Sequence, residues 1–214
     1  MDLMQFIDMI LHVDKTLGTL LAQYGTYVYI VLFAIVFSET GLVLFFFLPG
    51  DTLLFIAGAF CATGQMHFPL LMALLITAAV TGNTLNYAIG RAIGHRVFTH
   101  DYRWINKSAL RRTHDFFEKH GGKTIIVARF VPVVRSFAPL VAGVSDMTLA
   151  RFQLFNVTGA VLWVASLVTA GYLFGNVPIV KEHLTEIVLV GISAAMVPLA
   201  IGGLYKFGRR MLGR

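Results

Sequence analysis

The stretch 124-TIIVARFVPVVRSFAPLVAGV-144 decides how this chain folds. By hydropathy it could cross a bilayer, yet it holds Arg129, Pro132, Arg135, Pro139 and Gly143. Proline and glycine interrupt helices, and an arginine at mid-bilayer costs about 2.5–3.5 kcal/mol. Its flanks supply a test. Arg91 to Lys123 contains eight Lys or Arg residues (Arg91, Arg96, Arg103, Lys107, Arg111, Arg112, Lys119 and Lys123), and the tail adds Lys206, Arg209, Arg210 and Arg214. The positive-inside rule puts both segments in the cytoplasm. If the 124–144 stretch crossed, Arg151 and the basic tail would both lie outside. If it dips in and returns, two further spans leave the tail inside. The sequence therefore predicts a re-entrant hairpin here.

Working outward, four stretches read as full spans: about Tyr24–Phe46, Pro69–Ile93, Phe152–Phe174 and Thr185–Tyr205. Each has the roughly 20 residues that a hydrocarbon core of about 30 Å requires. The same logic run backwards makes 47–63, which holds Pro49, Gly50, Asp51 and Gly58, a dip from the opposite face, with the N-terminus in the cytoplasm. Leu3, Phe6, Ile10, Val13 and Leu17 recur at helical spacing between polar residues, predicting an interfacial helix over 1–20. A second surface helix is expected after Ser108 in the basic loop 94–123, ending at Gly121-Gly122.

The two dips share a pattern. Leu48-Pro49 is followed by Ala57-Gly58, and Val131-Pro132 by Ala142-Gly143. Each precedes a span with a Val-Thr-Gly triplet (80–82 and 157–159) and a Gly-x-x-x-Gly pair (Gly90/Gly94 and Gly171/Gly175). The expectation is one all-α membrane domain built as an inverted repeat, 24–93 against 124–175, with a last span over 185–206.

Composition excludes other classes. Apolar residues make up 57% of the chain and charged residues 13%, too few charges to cover a water-facing globule. The net charge of +6 is grouped between apolar runs, which suits lipid headgroups rather than nucleic acid. One cysteine, Cys61, excludes an internal disulfide, and the seven histidines have no ligand spacing. No metal or other cofactor is expected. The acidic N-terminus (Asp2, Asp8) is unlike a signal peptide.

Glu39, Asp51, Arg129 and Arg135 lie in or beside apolar segments. Unpaired in lipid, the four together would cost on the order of 10 kcal/mol. They must face protein or water, and mutual pairing across the hairpins is the expected resolution. Guanidinium stays charged and grips phosphate by forked hydrogen bonds, whereas a carboxylate can take up and release a proton. Arg129 and Arg135 are therefore assigned to an anionic headgroup, and Glu39 and Asp51 to proton coupling. The bland alternative is ion pairs that only dock the hairpins. Pro49, Gly50, Pro132 and Gly143 shape the hairpin backbone. Asn83 and Asn86 serve either helix–helix hydrogen bonding or pathway lining, and Trp163 reads as packing or an interfacial anchor.

The segments Phe37-Ser-Glu39-Thr-Gly-Leu42, Phe47-Leu-Pro49-Gly50-Asp51-Thr-Leu-Leu54 and Ala128-Arg129-Phe-Val-Pro132-Val-Val-Arg135-Ser-Phe-Ala-Pro-Leu-Val-Ala-Gly143 resemble the DedA family of the SNARE-associated (VTT) group. The likeness continues through Asn156, Gly159 and Trp163 and covers roughly residues 20–205. It implies a multi-pass bacterial inner-membrane protein linked to membrane potential, cell division and resistance to cationic peptides. It also implies movement of undecaprenyl phosphate or phospholipid, with Glu39, Asp51, Arg129 and Arg135 as the required charges. The chain departs from that pattern at Ala128, where many relatives have glycine. It departs again at Asn83, where many have an acid, so a proton relay of three acids is not expected.

The function expected is a proton-motive-force-linked flippase for an anionic lipid phosphate, not an enzyme. Its partners are the lipid and protons, and its oligomeric state is left open, a homo-oligomer included. The alternatives are a proton-coupled exporter of small cations or drugs, an intramembrane lipid-pyrophosphate phosphatase using Ser136, and a scaffold protein.

Overall fold

The computed structural model describes residues 13–45, 50–99, 124–126, 129–130, 132–175 and 177–178. The expected last span (185–206), most of the basic loop, Pro49 and residues 1–12 lie outside them. The described residues are helical, with no strand among them. The helices are α1 (Val13–Tyr24), α2 (Tyr27–Gly41), α3 (Gly50–Ala62), α4 (Phe68–Thr99), α5 (Pro132–Val144) and α6 (Leu149–Phe174).

Among the described residues, α4 and α6 alone are long and apolar enough to cross a bilayer: Phe68–Gly94 is 27 residues and Leu149–Phe174 is 26, each about 40 Å of helix. The others are half that length. α2 has 15 residues and α3 and α5 have 13 each, or about 20 Å.

The span expected over Tyr24–Phe46 is therefore not a full-length helix. It breaks at Gly41, Leu42 is extended, and a single 3-10 turn (Val43–Phe45) follows. Contacts fix its direction. The backbone N–H of His67 donates to Tyr29 Oη at 2.7 Å at the start of α4, while an added Cβ on Gly41 would meet Gly82 backbone atoms at 3.2–3.3 Å, halfway along α4. α2 thus runs parallel to α4 and stops at mid-height, and α3 returns from there. The first hairpin is α2–α3 rather than 47–63 alone. The apolar composition of 24–46 hides its apex, because a half-length helix is as hydrophobic as a spanning one.

Close backbone approach sets the remaining register. A Cβ on Gly143 would strike Tyr87 O and Arg91 N, and one on Gly90 or Gly94 would strike Leu140 O or Val144 O. On the other side, a Cβ on Gly58 would strike Val168 O and Tyr172 N, and one on Gly171 would strike Phe55 O. These sets correspond position for position. Residues at −3, 0 and +1 of the short helix (55, 58, 59 and 140, 143, 144) meet the Gly-x-x-x-Gly face of a long one. Each short helix therefore packs on the long helix of the other repeat, α3 on α6 and α5 on α4. Lipid supplies no hydrophobic drive between helices, so small residues that let backbones touch do this work.

Pro132 opens α5 instead of ending a helix, as a proline at a first helical position does. Pro139 sits inside α5 without breaking it. At the far end, Tyr87 Oη donates to Met147 O, and an exposed Arg91–Asp146 pair at 3.1 Å closes the turn into α6. The opposite end carries the Gly64 turn and α1, where a Cβ on Gly18 would lie 3.4 Å from Phe60. α1 therefore lies at the end of the bundle away from Arg91.

Candidate functional site

The α2–α3 apex and the apex formed by the 129–130 turn and the start of α5 meet at mid-height of α4 and α6, and the four predicted charges meet with them. Glu39 is in the last turn of α2, Asp51 in the first turn of α3, Arg129 in a turn before α5, and Arg135 early in α5. α3 and α5 thus direct their N-terminal ends, which carry positive dipole and unpaired N–H groups, toward one place.

The pairing is uneven. Arg135 binds both acids, Nη1 donating to Asp51 Oδ1 at 2.6 Å and Nη2 to Glu39 Oε1. The Glu39 side chain is fully buried, whereas that of Asp51 is 44% exposed. Arg129, which is 4% exposed, has no acid partner among the described residues. Its Nη2 donates to Asn156 Oδ1 at 2.6 Å and to Asn156 O at 3.2 Å. With its carbonyl turned toward Arg129, Asn83 accepts at 2.7 Å and donates to Thr40 O at 3.2 Å. The expected pairing of two acids with two arginines is thus corrected: one arginine is the shared partner of both acids, and the other is a buried cation held by neutral amides. Two amides suffice to orient a guanidinium but leave its charge uncompensated.

Two glycines make room for these groups. A Cβ on Gly50 would collide with the Glu39 carboxylate, and one on Gly159 would sit 2.9 Å from Arg129 Cδ. Gly50→Ala is expected to push Glu39 off Arg135 and to lower stability by about 1–3 kcal/mol. Thermal unfolding in detergent checks this, and an unchanged transition would show that Glu39 does not pack there.

Asn86 ties the apices to α4. Its Nδ2 donates to Thr40 O at 3.2 Å and to Ser136 O at 2.8 Å. Asn156 Nδ2 donates to Val80 O and to Gln153 Oε1, both at 3.1 Å, joining α6 to α4. Trp163 Nε1 donates to Asp51 Oδ1 at 2.9 Å, and the ring lies 5.3 Å from Arg135 Cζ and 6.0 Å from Arg129 Cζ. Sequence reasoning gave Asn156 and Trp163 no part in the site. One signal was available: Gln153 and Asn156 repeat in α6 the spacing of Asn83 and Asn86 in α4.

A small cavity, with room for about one water molecule, is lined by Glu39, Thr40, Asn83, Arg129, Arg135, Ser136 and Trp163. Four buried polar atoms have no hydrogen-bond partner among the described residues: Glu39 Oε2, Asn86 Oδ1, Arg129 Nε and Ser136 Oγ. Three of the four belong to residues of the cavity wall. Buried polar groups are normally satisfied, so these atoms keep hydrogen-bonding capacity for a further polar partner.

Two full-length apolar helices, half-length helices between them and a charge cluster at mid-height define a polytopic α-helical membrane protein. The chain belongs to the DedA family, and the VTT domain model matches residues 48–173. Protein DedA of Escherichia coli (strain K12) is 49% identical over 196 residues, covering 90% of this chain and 89% of that protein. An uncharacterized membrane protein of Mycobacterium leprae (strain TN) is 38% identical over 174 residues, 81% of this chain and 78% of that one. Inner membrane protein YqjA of E. coli K12 is 38% identical over 158 residues, 72% and 71% of the two chains. No solved structure matches the chain. Glu39 lies ahead of the matched VTT segment.

Proposed function

We propose that this protein is a flippase that moves an anionic lipid phosphate, undecaprenyl phosphate or a phospholipid, across the bacterial inner membrane. Arg129 carries the reading: a buried guanidinium with amide partners and no acid among the described residues, on the wall of a cavity, is a site for an anion. The facing N-termini of α3 and α5 add positive potential at the same place. In this reading α2–α3 and the chain around Arg129 with α5 are re-entrant hairpins entering from opposite faces. The phosphate is held between their apices while its apolar tail stays in lipid.

Proton coupling follows from the uneven pairing. One ionised carboxylate is enough to neutralise Arg135, so protonation of both Glu39 and Asp51 is what releases it toward a phosphate. A proton arriving from one face and leaving to the other then links lipid movement to the proton motive force. With the basic loop in the cytoplasm, α1, at the end of the bundle away from Arg91, would lie at the outer surface. The tail is cytoplasmic if 185–206 crosses.

A cation exporter would need a carboxylate free for cargo, and Arg135 holds one oxygen of each. A phosphatase would need a base set on Ser136, and Ser136 Oγ has no hydrogen-bond partner among the described residues. The test is lipid movement in reconstituted vesicles, with and without a pH gradient, comparing undecaprenyl phosphate with phosphatidylethanolamine. Arg129→Lys keeps the charge but loses the fork. It is expected to slow movement by about 10- to 100-fold, the worth of one charged hydrogen bond. Wild-type rates for Arg129→Lys would sink the phosphate grip.

A further inference from the structure

Trp163 touches more of the charge cluster than any role as packing or membrane anchor requires. It is 3% exposed, near the middle of α6. Its indole N–H shares Asp51 Oδ1 with Arg135 Nη1, at 2.9 Å and 2.6 Å. Its ring faces the guanidinium of Arg135 at 5.3 Å and that of Arg129 at 6.0 Å. One side chain therefore contacts a charged group from α3, from α5 and from the turn before α5. Asp51 is the charged member most open to its surroundings, at 44% of its side chain. Without a second donor, one rotamer change would carry its carboxylate off Arg135. The ring face, negative by its quadrupole, partly offsets two cations that would otherwise repel.

We propose that Trp163 is a positioning residue: its N–H fixes Asp51 on Arg135, and its ring holds the two guanidiniums at the spacing that receives one anion. The proposal rests on the flippase reading for its transport arm only. The two jobs separate by substitution. Trp163→Phe keeps a ring and removes the donor, while Trp163→Leu removes both. Reconstituted Trp163→Phe is expected to move undecaprenyl phosphate about tenfold more slowly at saturation, with the half-saturating lipid concentration within about twofold of wild type. Trp163→Leu is expected to raise that concentration about tenfold as well. Equal behaviour of the two variants, or a wild-type rate for Trp163→Phe, would overturn the proposal.

A second arm needs no transport. The chain has two tryptophans, Trp104 and Trp163, so Trp104→Phe leaves an emission that reports the indole at the site. Adding Asp51→Leu is expected to move the emission maximum. If it stays put, the indole does not hold Asp51 and the proposal falls. If wild-type protein moves none of the lipids, the flippase reading fails, and this arm still decides the contact.

Discussion

Replacing Arg135 with Met is expected to abolish lipid movement and to lower stability by about 3–5 kcal/mol, the cost of breaking a buried ion pair from one side. Arg135 is the shared partner of Glu39 and Asp51, so its loss strands two carboxylates, one of them fully buried. For a chain of this size the unfolding transition in detergent should fall by about 10 °C. The compensating variant separates fold from function. Glu39→Gln, Asp51→Asn and Arg135→Met together leave no charge at these three positions and should recover most of the lost stability, because neutral replacements of a buried triad are often tolerated. They should recover no transport. A single Arg135→Met protein that melts at the wild-type temperature would show that the three side chains do not form one cluster.

The other large effect is steric. Gly143→Leu places a side chain where Tyr87 O and Arg91 N already lie, and Gly58→Leu does the same against Val168 O and Tyr172 N. Backbone atoms of a packed helix cannot step aside as side-chain ends do. Each change is expected to lift a short helix off its partner and to cost about 3 kcal/mol or more. The corresponding alanines should rank between wild type and leucine. Thermal unfolding and yield of folded protein are the readouts. Because the two contacts correspond position for position, similar losses are expected at 58 and 143. A large loss at one and none at the other would refute the matched packing of the two repeats.

The parts of this arrangement that were legible in the sequence are those with a steep energetic signature. Charge inside an apolar run is expensive wherever it is placed, so Glu39, Asp51, Arg129 and Arg135 could be singled out without coordinates. Paired small residues four apart likewise announced the close helix contacts at Gly90/Gly94 and Gly171/Gly175. The break after Gly41 was not legible, because lipid accepts a half-length helix and a spanning helix on the same apolar composition. The interruption at Ser38-Glu39-Thr40-Gly41 was the sole hint, and it was read as part of a span. The partner of Arg129 was also hidden. A carboxylate is the obvious counter-group for an arginine, whereas the amide of Asn156 carries no charge to suggest it. Trp163 was missed because an indole in a membrane chain has a ready interfacial role, and only distance shows its N–H on Asp51.

The exchange of partners between the repeats has a consequence for biosynthesis. When α3 leaves the ribosome, the face of α6 that it will cover has not yet been translated, and α4 must likewise wait for α5. Neither half of the chain can mature alone as it enters the bilayer. Until Arg135 is delivered, the nascent first half carries two acids without their counter-ion, so its early helices have to be shielded by water or by the insertion machinery. Completion of the C-terminal half is thus the step that commits the whole molecule to its final shape.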